Sequence, residues 1–292
     1  MKILNFGSLN IDHVYRVERF GHPGETLPCD HYLRGPGGKG LNQSIALAHA
    51  GMNVSHAGAV GADGEWLIHY LQDCQVDTAQ IYQSPEATGH AIIQVSEAGE
   101  NSILIHGGAN RAIPATHVHQ VMESFGAEDV LLLQNEVNDV PRIMDAAADR
   151  GMKIVFNPAP FTPAVVDGYP LERIDLFLIN EIEGRQLTGR DSPADILDTM
   201  CERYGEAATV LTLGGSGAMY RGPRGRCAVE AEPVEVRDST AAGDTFTGYF
   251  LAEILRDSTP LNALIRANKA ASICVTRPGA AASIPRANEL PG

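Results

Sequence analysis

VLLLQNEVNDVPRIMDAAADRGMKIVFNPAP, Val130 to Pro160, decides the fold. VLLLQNE opens with four apolar residues and ends in polar ones, as a strand buried on both faces does. Arg142 to Arg150 carries helical spacing and stops at Gly151. KIVFNPAP is a second strand, closed by prolines. Strand, helix and strand in this order predict a parallel pair with the helix crossing one face.

The same alternation runs outward in both directions. KILNFGSLN (Lys2 to Asn10) is a buried strand, and LNQSIALAHAG (Leu41 to Gly51) a helix with a glycine stop. NVSHAGAVG reads as a strand and DGEWLIHYLQDC as a helix. DLFLINEIEG is a strand running into a helix start, ATVLTLGGSGAM a strand and glycine turn, and AGDTFTGYFLAEILRD a helix. These elements predict an α/β protein with a doubly wound, mostly parallel sheet and helices on both faces, and ligands outside the C-terminal strand ends. Two segments break the rhythm. His13 to Gly35 holds short β-like runs around GHPGE, and His90 to Gly108 reads as a hairpin around SEAGEN. They form either a small inserted sheet that could cover a substrate or extra edge strands of the main sheet. The expectation is one domain over residues 1–292, with a lid from segments near 12–36 and 88–107.

Composition narrows the function. The 292 residues are 44% hydrophobic and 20% charged, ordinary for a soluble globular chain. A net charge of −14 argues against nucleic acid as a partner. Five scattered cysteines, without C-x-x-C, read as reduced thiols rather than as a disulfide or zinc framework. MKILNFGSLNID enters a strand directly, with no apolar signal core, and no run of 18 apolar residues occurs. A cytoplasmic protein away from membranes is expected.

Four stretches carry candidate chemistry. In DSTAAGDTFTG (238–248), Ala241, Ala242 and Gly243 open into a helix, so free N–H groups and the positive dipole end face one spot. Asp244 beside them reads equally as a dipole-stabilising acid or as a general base for a hydroxyl proton. In INEIEG, Asn180 and Glu183 stand at i, i+3 on one helix face. They suit Mg²⁺ held through water, or form a plain helix start with solvated Glu181 and Glu183. TLGGSGA (212–218) is a turn that can lie along a nucleotide or be a simple β-turn. GPGGKGLNQS (35–44) spells G-x-G-x-x-G, yet its preceding run lies in the irregular β segment and the next strand lacks the ribose-binding acid. It is not a P-loop either, since Leu33 and Gly40 occupy the required glycine and Ser/Thr positions. It offers bare backbone, Lys39 and Asn42, which with Asn10 and Asp12 suit a polyol.

GSLNID, PGGKGLNQ, LLQNE, NPAP, INEIE, LTG, TLGGSG, STAAGDTFTG and VTRPGAAASIP follow the order and spacing of the ribokinase family of carbohydrate kinases, which the chain resembles over essentially its whole length. The resemblance implies transfer of the ATP γ-phosphoryl group to a sugar hydroxyl, with D-ribose giving ribose 5-phosphate as the expected reaction. It implies Asp244 as base and Ala242 and Gly243 as the anion hole. Asn10, Asp12, Gly38, Lys39, Asn42 and Glu136 match sugar contacts. Asn180, Thr212, Leu213, Gly214, Gly215, Ser216, Gly217, Gly243 and Asn268 match nucleotide contacts. Glu183 matches an acid acting on Mg²⁺ through water. Asp238, Thr240, Cys274, Arg277, Gly279 and Ser283 match a K⁺ site, several through main-chain carbonyls, so K⁺ activation is expected. A homodimer joined through the lids is implied as well.

Some positions depart from the family habit. Pro36 precedes the Gly-Gly pair, Asn135 and Val137 flank Glu136, and the lid positions Ile92, Gln94, Ile103 and Ile105 are generic. Another pentose, a keto-deoxy sugar acid or a nucleoside therefore stays open as acceptor. An anionic acceptor would need a further cation, for which Arg34 and Arg111 are the candidates. A non-catalytic sugar- or nucleotide-binding protein is a separate alternative. A nicotinamide oxidoreductase rests only on the literal G-x-G-x-x-G.

Overall fold

The computed structural model describes residues 1–98 and 100–291. Its strands are β1 (Ile3–Phe6), β2 (Asn10–Val17), β3 (His31–Gly37), β4 (Val54–Val60), β5 (Asp77–Gln83), β6 (Gly89–Ser96), β7 (Asn101–His106), β8 (Val130–Gln134), β9 (Lys153–Asn157), β10 (Leu176–Asn180), β11 (Ala208–Thr212), β12 (Ala218–Gly222) and β13 (Gly225–Val229). Its α-helices are α1 (Lys39–His49), α2 (Glu65–Asp73), α3 (Ala115–Met122), α4 (Val140–Ala148), α5 (Ala164–Gly168), α6 (Glu181–Thr188), α7 (Pro193–Arg203), α8 (Ala242–Leu255) and α9 (Pro260–Val275).

Nine strands form the main sheet in the order β13-β12-β11-β10-β9-β8-β1-β4-β5. The seven from β11 to β5 run parallel, and the β12–β13 hairpin closes one edge antiparallel. Successive side chains alternate between two cores. Ile3, Val130, Leu132, Leu178 and Val210 face α1, α2, α8 and α9. Leu4, Phe6, Leu131, Leu133, Phe177 and Leu211 face α3, α4, α6 and α7. Burial on both faces explains why these strands read as unbroken apolar runs.

The irregular segments form a separate four-stranded sheet, β3-β2-β6-β7, not edge strands of the main one. The β6–β7 hairpin has the expected antiparallel register, Ile93 opposite Ile103. Gly99, within the SEAGEN tip, lies outside the described residues, as does Gly292. Two helices start earlier than their sequences suggest. α4 begins at Val140 because Pro141 sits in its first turn, where no N–H is needed. α1 begins at Lys39, so the lysine is helical rather than part of a loop. No helix among the described residues is long and apolar enough to cross a membrane.

Candidate active site

The C-terminal ends of β1, β8, β9, β10 and β11 converge on the N-terminus of α8, beneath the small sheet. A cavity of about 430 Å³ lies there, lined among others by Asn10, Asp12, Gly38, Lys39, Asn42, Glu136, Asn180, Glu183, Thr212, Thr240, Gly243 and Asp244. A second cavity of about 400 Å³ is lined by Gly214, Gly215, Gly217, Ala242, Phe246 and Asn268, with the loop Ala231–Val236 beside them. Thr212, Ser239 and Gly243 belong to both walls. Leu213 and Ser216 line neither cavity. Ile103 and Ile105 face the first cavity, whereas Ile92 and Gln94 alternate to the other face of the small sheet.

The α8 N-terminus is shaped for an anion. Ala241 takes φ 61°, the left-handed region a non-glycine residue enters only when its surroundings fix it. The chain then turns into the helix; the Ala242 N–H donates to the Ser239 carbonyl at 3.3 Å, a long bond outside the helix, and the Gly243 N–H has no partner within it. Space for a Cβ on Gly243 is empty to 4 Å, so ligand atoms can approach its backbone. Asp244, one residue on, is buried. Its Oδ2 accepts from Asn42 Nδ2 at 3.0 Å and its Oδ1 from Gln43 Nε2 at 2.9 Å.

The glycines of GPGGKG serve packing as much as ligand approach. A Cβ on Gly37 would fall on the Asp12 carboxylate, and one on Gly40 on the backbone of Gly7 and Ser8. Only Gly38 of the two Gly-Gly residues lines the cavity, at φ 94°. The tight fit holds Asp12 against the end of β3 and the residues after β1 against α1.

Four carboxylates and one ammonium set the electrostatics. Lys39 is held charged, above its ordinary range, chiefly by Asp244 against the cost of burial, with Glu136 and Glu183 adding to it. Burial and then Glu136 push Asp12 up to about 7. Burial raises Glu136 too, opposed by Lys39, while Ser8 Oγ and Lys39 N donate to its Oε2. Burial raises Glu183 as well. Such a pocket favours hydroxyl groups and cations and repels bare anions. Arg34 and Arg111 do not line it. Arg34 stacks on Trp66, 5.0 Å from the ring centroid, and Arg111 donates to the carbonyl of Val137 at 2.8 Å.

Asn180 and Glu183 make a capping box rather than sharing a helix face. Asn180 Oδ1 accepts from Glu183 N at 2.9 Å, and Glu183 Oε2 from Asn180 N at 3.0 Å. Asn180 is the last residue of β10, one step before the helix. Glu183 is buried, against the alternative of a plain helix start with two solvated acids, while Glu181 is exposed. The Glu183 carboxylate keeps lone pairs toward the cavity, which fits contact with a hydrated Mg²⁺ through water.

Residues matched to K⁺ also gather in one place. Asp238 accepts from Thr240 N and Gly279 N, both at 2.9 Å. Cys274 Sγ lies 3.7 Å from the Thr240 carbonyl and 3.1 Å from Ser283 Oγ. Arg277 turns its guanidinium outward to Glu289, leaving main chain toward the cluster.

Gln43, Gln134, Asn5, Asn157 and Ser8 join the site without having been singled out in the sequence. Their only local signal is a polar residue inside an apolar strand or beside the GGKG glycines.

The family model described as pfkB family carbohydrate kinase matches residues 1–287. The ribokinase of Haemophilus influenzae is 34% identical over 292 aligned residues, covering 97% of this chain and 95% of that protein. The crystal structure of the Cryptococcus neoformans ribokinase in complex with ADP superposes with a TM-score of 0.84 at 31% identity, covering 98% of this chain and 97% of that one. The Arabidopsis thaliana ribokinase complexed with ribose and ATP gives 0.84 at 27% identity, covering 98% and 95%. The two signature loops, the convergent site and these matches across nearly the full length agree: the chain belongs to the pfkB family of carbohydrate kinases.

Proposed function

We propose that this kinase transfers the γ-phosphoryl group of ATP to the 5-hydroxyl of D-ribose, giving ribose 5-phosphate and ADP. The observation that carries the reading is the position of Asp244, buried in the first turn of α8 where the two cavities meet. Ribose sits in the first cavity, its hydroxyls held by Asn10, Asp12, Gly38, Lys39, Asn42 and Glu136. ATP lies along Thr212–Gly217 with its base near Asn268 and its phosphates at Gly243. The Asp244 carboxylate takes the hydroxyl proton as the sugar oxygen bonds to the γ-phosphorus and the bond to the β-phosphate oxygen breaks. Backbone N–H groups at Ala242 and Gly243 stabilise charge on the transferring group.

Mg²⁺, contacted by Glu183 through water, neutralises phosphate charge when bound. The acidic lining supports this, since nucleotide phosphates without a counter-ion would meet four carboxylates there. The loop cluster of Asp238, Thr240, Cys274, Arg277, Gly279 and Ser283 supports activation by K⁺. Exposed Leu33, Ile103, Leu104 and Ile105 on the small sheet support a homodimer through the lids. Five free cysteines support a reducing, cytoplasmic setting. A neutral acceptor is favoured over a sugar acid, because Lys39 is already surrounded by carboxylates and Arg111, which lines a smaller adjoining cavity with Asn10 and Glu136, spends its guanidinium on the Val137 carbonyl.

The test is ADP release with Mg²⁺ and ATP, with and without K⁺, across ribose, deoxyribose, fructose, a keto-deoxy sugar acid and nucleosides. Ribose gives the highest kcat/KM, and K⁺ raises it. Asp244→Asn lowers kcat by about 10³-fold, within the range for loss of a general base, while ATP binding persists. Turnover by Asp244→Asn close to the parent's would remove Asp244 as the base.

A further inference from the structure

We propose that Gln43 is a positioning residue for the transfer step: its side-chain amide orients the Asp244 carboxylate, and Gln134 fixes which way that amide faces. The proposal rests on Asp244 acting as the base.

An amide side chain can fit its site either way round, and its neighbours decide which. Gln43 Nε2 donates to Asp244 Oδ1 at 2.9 Å and to Asn157 Oδ1 at 3.1 Å. Its Oε1 accepts from Gln134 Nε2 at 2.6 Å. Gln134 gives its other hydrogen to Asn5 Oδ1 at 2.9 Å. Asn5 Nδ2 in turn donates to the Gly40 carbonyl at 2.7 Å and to Ser44 Oγ at 2.8 Å. That leaves the Ser44 hydroxyl proton for His56 Nδ1, 2.8 Å away. Burial lowers the His56 imidazole to about 3, so it stays neutral and can accept. Each donor therefore has a defined target, and the bonds have one consistent direction. Turning the Gln43 amide over would set its oxygen against the Asp244 carboxylate and its NH₂ against the NH₂ of Gln134.

Stability alone gives a poor account of this chain of amides. Asn5, Gln43, Ser44, His56 and Gln134 are all 0% exposed, in a core otherwise packed with Leu, Ile and Phe. Gln134 Oε1 lacks a hydrogen-bond partner, which is costly in a dry interior. A fixed orientation for Asp244 is what the network supplies in return, since transfer rates depend steeply on the placement of the reacting groups.

Kinetics and thermal unfolding of three variants test the idea, with ribose and Mg²⁺-ATP. Gln43→Leu lowers kcat by about 10- to 100-fold with the KM for ATP within twofold of the parent, as expected for lost orientation rather than lost binding. Gln134→Glu keeps the shape but can hold Gln43 in place only while its carboxyl is protonated. Its kcat therefore falls as pH rises, a limb the parent lacks. A folded Gln43→Leu with kcat within twofold of the parent overturns the proposal. So does a Gln134→Glu whose relative activity is the same at every pH, and this second variant decides if the first fails to fold. Asp244→Asn separates the two readings: inactive Asp244→Asn with normal Gln43→Leu sinks this inference alone, whereas active Asp244→Asn sinks both.

Discussion

The cavity beneath the small sheet and the cavity beside the glycine turn are nearly equal in volume, about 430 and 400 Å³, yet they are built from different materials. The first sets five charged side chains, Asp12, Lys39, Glu136, Glu183 and Asp244, beside an apolar wall of Ile93, Ile103 and Ile105, and hydrogen bonds fix Glu136, Glu183 and Asp244. The second is made of backbone and small or apolar side chains: Gly214, Gly215, Ala242, Val234 and Phe246. Hydroxyl groups of a small polyol need partners at fixed points, because each unpaired polar group left in a dry pocket is costly. A nucleotide brings its own charge and a flat base, for which N–H groups and apolar walls suffice. The first cavity should therefore set which acceptor reacts, and the second should set mainly the nucleotide KM.

The hardest test of this division falls on the junction. Gly243 lines both cavities, and nothing lies within 4 Å of the place a Cβ would occupy. Gly243→Val should fold normally, with the thermal midpoint within a few degrees of the parent. Its kcat/KM should fall by about 10²-fold or more for every acceptor, because the valine side chain fills the space through which the transferring group reaches the preorganised backbone N–H. A variant with intact activity would show that the two cavities do not meet at this residue during turnover.

Asp12→Asn should separate the cavities next. The KM for ribose should rise about tenfold and the KM for ATP should stay put, as expected for one hydrogen-bonding charge lost from the acceptor side alone. Stability gives a second signature. In the folded protein Asp12 titrates near 7 rather than near 3.8, raised by burial and then by Glu136. Between those values the folded state binds the proton more tightly than the unfolded chain does, so Asp12 costs stability as pH rises through that window. Asn carries no such cost. The variant should match the parent near pH 4, gain on it up to about pH 7, and hold a constant lead above that. The lead should amount to several degrees by pH 8, since each pKa unit of the shift contributes about 1.4 kcal/mol. Equal midpoints at pH 4 and pH 8 would mean that Asp12 is well solvated.

The two cavities also differ in how much of them the sequence reveals. Strands such as VLLLQ and DLFLI are legible because burial on both faces leaves a continuous apolar run. Asp244 and the α8 anion site are legible because a small-residue turn, a helix start and an acid are adjacent in the chain. The start of α1 is hidden, since Gly38 and Gly40 look like loop; their room is taken by Gly7, Ser8 and Asn10, which only the folded chain brings there. The amide chain is hidden for the same reason. Asn5, Gln43, Gln134 and Asn157 lie up to 152 residues apart, and each alone is one polar residue in an apolar setting. The second cavity is the least legible of all. Val234, Val236 and Ala271 have no chemistry to announce.

Asn268 offers the finest test of the comparison. It is buried, lines only the second cavity and donates to the Glu230 carbonyl at 3.2 Å, which ties α9 to the loop leading into Ala231–Val236. Asn268→Ala removes one neutral hydrogen bond, worth about 1 kcal/mol, so the KM for ATP should rise about fivefold. The ribose KM and kcat should stay within twofold, because no charged side chain of the first cavity depends on Asn268. A parallel rise in both Michaelis constants would mean that the loop beside the glycine turn also shapes the acceptor pocket. The division of labour would then lie along the chain's loops rather than between the two cavities.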